Sequence, residues 1–172
     1  MGCGGCCALQ LGREGWAMKA DDEALVALAE QARRGAYAPY SNFHVGAALR
    51  CRDGRVYTGA NVENASYGAT CCAERVALFK AVTDGVREFE AIAVASDGRG
   101  PTYPCGICRQ ALAEFSPGMD VVCAGADGAR EAHRLSELLP CAFTRRGAGS
   151  GIGRGKPGDR ERRGASGSRA IN

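Results

Sequence analysis

Two short segments hold the residues best able to do chemistry together: CAER at 72–75 and PCGICRQ at 104–110. Cys105 and Cys108 are three apart where Pro104 introduces a helix. Their sulfurs therefore share one face near the positive end of the helix dipole, where thiolates are favoured. Cys72 stands at the start of a second helix. Two helix N-termini can thus offer three thiolates to one tetrahedral Zn²⁺ and leave its fourth position open, which is a catalytic arrangement; a fourth cysteine would close the site and make it structural. Cys71 adjoins Cys72, but neighbours on a helix point about 100° apart and seldom share one ion.

A CxxC alone is as readily a structural staple, and a first-turn glutamate usually serves the helix dipole. Glu74 changes that balance. CxE followed later by PCxxC is the layout in which zinc deaminases set three ligands and one non-ligand glutamate around a metal. A carboxylate on the same helix start as a ligand can reach an activated water without replacing it, and so can shuttle protons. Three thiolates leave a zinc centre with a net charge of about −1, which weakens its hold on water acidity. Arg75, donating to the cysteine sulfurs, would offset that charge and steady the ligands. Its plain alternative is a solvent-facing helix arginine.

The elements that must position these groups alternate in type. Asp21 or Asp22 can cap a first helix with apolar positions at Leu25, Leu28 and Ala32, ending at Gly35. A loop, YAPYS at 37–41, leads to alternation at Phe43, Val45, Ala47 and Leu49; the turn signal RDG at 52–54 and a second alternation at Val56 and Thr58 complete a hairpin. The polar loop 61–68 precedes a helix from about Cys72 to Thr83. AIAVAS at 91–96 and DVVCA at 120–124 are short apolar runs typical of buried strands, separated by a helix from Cys105 to about Phe115. The alternation predicts an α/β layered domain with a mixed sheet.

TGANVENASY at 58–67, CAER with the helix ALFKAV, PCGICRQ and LLPCAF at 138–143 together closely resemble cytidine deaminase of the small homotetrameric type, from about Asp21 to Thr144. The resemblance implies a three-layer α/β/α fold with a mixed, roughly five-stranded sheet. It implies hydrolytic deamination of cytidine and deoxycytidine in pyrimidine salvage, with one Zn²⁺ per subunit held by Cys72, Cys105 and Cys108 and with Glu74 as the catalytic group. It further implies that Phe43 packs on the pyrimidine, that Asn61 and Glu63 hydrogen-bond the ribose 3′-hydroxyl, and that the backbone N–H of Ala73 holds the base O2. Ala65, Tyr67 and Phe143 would come from neighbouring subunits, so that the site exists only in the homotetramer. Without the resemblance, Phe43 reads as a core residue, 61–68 as a capped loop and Phe143 as an apolar domain end.

The 172 residues carry 22 Lys and Arg against 19 Asp and Glu, a formal charge of +3. Eight of those cations, against two acids, lie in residues 145–172, a Gly- and Arg-rich stretch with the composition of a disordered tail. The remainder is slightly acidic, so neither a nucleic-acid face nor a membrane partner is expected there. No apolar run of 18 residues occurs, and the first 20 residues lack the pattern of a secretory signal, which places the protein in the cytoplasm as an expectation. Residues 1–17 read as a leader, with Met18 as a possible start, and 18–144 as the catalytic domain. Of ten cysteines, seven have no assigned chemistry, the Cys3/Cys6 pair included; His44 and His133 are assigned to structure or solvent. Two other readings stay open: a deaminase of a modified cytosine nucleoside such as blasticidin S, and a structural-zinc nucleic-acid module using the basic tail.

Overall fold

The computed structural model describes residues 20–144. The proposed leader, Met18 and the basic tail lie outside the described residues. Up to Ala142 the described chain forms one compact unit. Its elements run α1 (Ala20–Arg33), β1 (Val45–Cys51), β2 (Val56–Ala60), α2 (Ala73–Thr83), β3 (Phe89–Ser96), α3 (Gly106–Ala113), β4 (Asp120–Ala124), β5 (Arg130–Arg134) and α4 (Leu135–Leu138). They build a five-stranded sheet in the order β2-β1-β3-β4-β5, with β3 and β4 parallel and the other pairs antiparallel.

Alternation along each strand divides the core into two layers. Ala47, Leu49, Ile92, Val94, Val121 and Cys123 face α2 and α3, whereas Ala48, Ala91, Ala93, Ala95 and Ala124 face Leu25, Val26 and Ala29 of α1. Covered on both sides, β3 is buried at all but one position, which is why its sequence is a continuous apolar run. Among the described residues no helix is long and apolar enough to cross a membrane.

Two local expectations are corrected, and one strand was not anticipated. Asp21 and Asp22 do not cap α1 but sit in its first turn, and Asp22 is buried against the Arg50 guanidinium at 3.4 Å. The buried stripe of α1 is Asp22, Leu25, Val26 and Ala29, leaving Leu28 exposed; an apolar stripe can be drawn through either row until the sheet selects one. The segment REAHR, which carries no apolar alternation, forms the edge strand β5 because it pairs with β4 on one side and meets solvent on the other.

Two glycines permit the close packing on which the site depends. A Cβ at Gly46 would stand 2.5 Å from Arg33 N of α1. One at Gly59 would stand 2.6 Å from Ala77 N and collide with Ala73 O, so β2 can touch the first turns of α2 only through a residue without a side chain. Gly59→Ala is therefore expected to cost about 1–3 kcal/mol of unfolding free energy, as overpacking against rigid backbone does. Denaturant titration measures this; an unchanged midpoint would show that α2 can retreat freely.

Candidate active site

Cys72 and Cys105 are the N-cap residues of α2 and α3, both in extended backbone, and Cys108 is the third residue of α3. Because β3 and β4 lie side by side with α2 and α3 on one face, the two helix N-termini converge. The three sulfurs lie within 4.8 Å of one another, Cys72 Sγ and Cys105 Sγ at 3.9 Å. A tetrahedral zinc with Zn–S bonds of about 2.3 Å has S···S edges of about 3.8 Å. The cluster therefore fits that ion, and the type and softness of its donors suit it. It is the one metal-capable group of three among the described residues. Cys71 is not in it: its backbone pairs with Val62 and its thiol stays apart.

Electrostatics prepares the cluster for a cation. The Cys72 thiol is pushed down to about 5 by its hydrogen bond with Cys108, helped by Arg75 and Cys105. The same bond, with burial, drives the Cys108 thiol upward. Arg75 Nη2 donates to Cys72 Sγ at 3.6 Å and to Thr70 O at 3.0 Å, and the bond to Cys72 raises its own pKa. Arg75 Nε is buried without a hydrogen-bond partner.

Glu74 is 3 % exposed. Its carboxyl is pushed up to about 7, first by burial and then by the charge of Cys72, and opposed by its own backbone N–H, Cys108 and Arg75. A carboxyl poised there exchanges protons near neutrality in either direction. Burial holds the thiols of Cys51 and Cys71 up and Cys123 at about 12, which keeps them inert.

The other predicted residues fall into two groups. Asn61 is buried and clamps the loop before β1: its Oδ1 accepts Val45 N–H at 2.8 Å and its Nδ2 donates to Phe43 O at 2.9 Å. The Phe43 ring is 41 % exposed and lies over Gly98. Glu63, Tyr67, Tyr40, Ser41 and Thr70 line a cavity of about 330 Å³, and Thr70 is the residue whose carbonyl receives Arg75. Ala73 is the first residue of α2, so helix geometry leaves its N–H without an intrahelical acceptor. Ala65 is exposed, as are Tyr67 and Phe143, at 78 % and 73 %. His44 binds Asp97 at 2.7 Å and His133 binds Glu131, so neither belongs to the cluster. A larger depression of about 860 Å³ lies where β3 and β4 begin, lined by Arg52, Met119 and Arg134, and holds none of the predicted site residues.

Sequence reasoning passed over Arg109 and Ser41. Arg109 Nε donates to Pro104 O at 2.7 Å and Nη1 to Leu138 O at 2.9 Å, tying the turn that carries Cys105 to α4. Its place after Cys108 was the available signal; its second partner is far away in sequence.

The profile of the cytidine and deoxycytidylate deaminase zinc-binding region matches residues 19–124. The chain belongs to the cytidine and deoxycytidylate deaminase family. Among relatives of this deaminase family, a cytidine deaminase of Sporosarcina psychrophila is 52 % identical over 126 residues, covering 73 % of this chain and 93 % of its own. A cytidine deaminase of Mycobacterium tuberculosis is 47 % identical over 116 residues, covering 67 % of this chain and 84 % of its own. The crystal structure of cytidine deaminase from Burkholderia pseudomallei superposes with a TM-score of 0.69 at 52 % identity, covering 70 % of this chain and 98 % of that one. The deaminase fold thus accounts for the α/β architecture with its mixed five-stranded sheet, and the family's zinc-binding region spans all three clustered cysteines.

Proposed function

We propose that this protein hydrolyses cytidine and deoxycytidine to uridine and deoxyuridine with release of ammonia. The observation that carries this is the buried Glu74 carboxyl, pushed up to about 7, beside three sulfurs spaced for one metal ion. A structural staple would have no use for that carboxyl, which argues against the nucleic-acid module. Cys72, Cys105 and Cys108 would hold one Zn²⁺ per subunit, which when bound supplies Lewis-acid activation of water. Glu74 takes a proton from the attacking water, delivers one to N3 of the pyrimidine, and passes one to the departing amine as C4 is attacked. Arg75 offsets the excess negative charge of three thiolates.

Phe43 supplies a face for the pyrimidine, Ala73 N–H a donor for O2, and Asn61 with Glu63 the acceptors and donors for the sugar 3′-hydroxyl. The exposure of Ala65, Tyr67 and Phe143 supports their insertion into neighbouring subunits of a homotetramer. The absence of a membrane-spanning helix among the described residues is compatible with a cytoplasmic enzyme of pyrimidine salvage.

Assays of cytidine, deoxycytidine and blasticidin S side by side, followed by the fall in absorbance, test the substrate. Turnover of both plain nucleosides and little of blasticidin S is expected. Preference for blasticidin S would replace this reading with that of a modified-nucleoside deaminase.

A further inference from the structure

We propose that Ser41 is a positioning residue: it holds the Glu63 carboxylate ready for a single sugar hydroxyl and at the same time fixes the backbone under Phe43. This rests on the nucleoside reading above.

The Glu63 carboxylate is already tied to the 37–43 loop. Oε2 accepts Tyr40 N–H at 2.9 Å and Ser41 N–H at 3.2 Å, and Oε1 accepts the Ser41 hydroxyl in a short hydrogen bond. The donor there is Ser41, because an ionised carboxylate can only accept, and Ser41 Oγ in turn accepts Phe43 N–H at 3.0 Å. A carboxylate has about four acceptor positions. Three are filled, and one remains on the Oε1 side for an incoming donor. Glu63 and Ser41 both line the cavity of about 330 Å³, so that position borders space open to a ligand.

The backbone between the two partners of Ser41 is held in an unusual shape. Asn42 has φ of +53°, the left-handed region, and its N–H is bonded to Ala38 O. The Ser41 side chain spans this kink, so one hydroxyl couples the residue proposed to face the base to the residue proposed to face the sugar. Ser41 is itself exposed, so the core does not require its hydroxyl. The hydrogen bond from Ser41 also holds the Glu63 carboxyl below its ordinary range. Loss of the hydroxyl would leave the carboxylate tied through Oε2 alone and Oε1 unanchored before substrate arrives, and binding would then bear the cost of ordering it.

The test compares Ser41→Ala, Ser41→Thr and Glu63→Gln, each zinc-loaded, on cytidine and on 3′-deoxycytidine, the latter as competitive inhibitor if its turnover is too slow to follow. For Ser41→Ala the KM for cytidine is expected to rise roughly 10-fold with kcat within about 2-fold, the scale of one hydrogen bond to a charged group. The penalty should be several-fold smaller on 3′-deoxycytidine, where only the loosened backbone under Phe43 is still felt, and Ser41→Thr should restore the parent KM. An equal penalty on both nucleosides would mean a purely structural role and would overturn the inference, as would no penalty on cytidine. Glu63→Gln separates the two levels. If it weakens cytidine but not 3′-deoxycytidine while Ser41→Ala is silent, the positioning role alone falls. If it affects both nucleosides equally, the 3′-hydroxyl contact itself falls, and the role of Ser41 with it.

Discussion

Glu74→Ala is expected to keep its zinc and to lose at least ~10²–10⁴-fold in kcat, the usual worth of positioned acid-base help. Glu74 is not among the three clustered sulfur donors, so its removal leaves the metal cradle intact. What goes is a buried carboxyl able to both take and give a proton near neutrality. Metal analysis alongside steady-state kinetics checks this: a zinc-loaded Glu74→Ala enzyme with near-normal turnover would sink the mechanism. A stability measurement gives an independent view of the same group. In the metal-free protein its pKa stands at about 7 against an ordinary 4.5. The folded state therefore binds the proton more tightly than the unfolded one, and the stability Glu74 contributes is complete below pH 4.5 and lost as pH rises to about 7. Glu74→Gln should remove that slope.

Cys105→Ala is expected to act on the metal first. Loss even of a residue that only supports a ligand costs about 10–100-fold in metal affinity, and loss of a ligand costs more. Zinc content should fall far below one per subunit, with activity falling in step. Cys105 is exposed at the cap of α3 and outside the main core, so the sheet should persist and circular dichroism should stay close to that of the parent. The variant should also match the parent after chelation in thermal stability, since both lack the same bound ion. Full zinc occupancy in Cys105→Ala would remove this residue from the site. The contrast between the two variants is diagnostic: one keeps metal and loses chemistry, the other loses both.

Much of this was readable along the chain because it is local. Cys105 and Cys108 share a face through the helical repeat alone, and Cys72 and Glu74 are two residues apart at one helix start. The buried runs at 91–96 and 120–124 announce strands covered on both sides. Less could be read where a partner decides the outcome. The strand character of REAHR depends on β4 beside it, and the exposure of Leu28 on which row of α1 the alanines of the sheet accept. The capping role expected of Asp21 or Asp22 gave way because Asp22 found Arg50, remote in sequence.

By itself, then, the sequence determined which cysteines and which glutamate are candidates for the site and the order of elements as far as β4, since residue type and spacing within a turn need no tertiary contact. The tertiary structure decided that two helix N-termini meet with sulfurs 3.9 Å apart, that Glu74 is buried enough to hold its proton to about 7, and that Ser41 binds Glu63 across 22 residues. Distances between elements and the dielectric around a side chain are set by the packing of the whole sheet, and no local stretch of chain contains them.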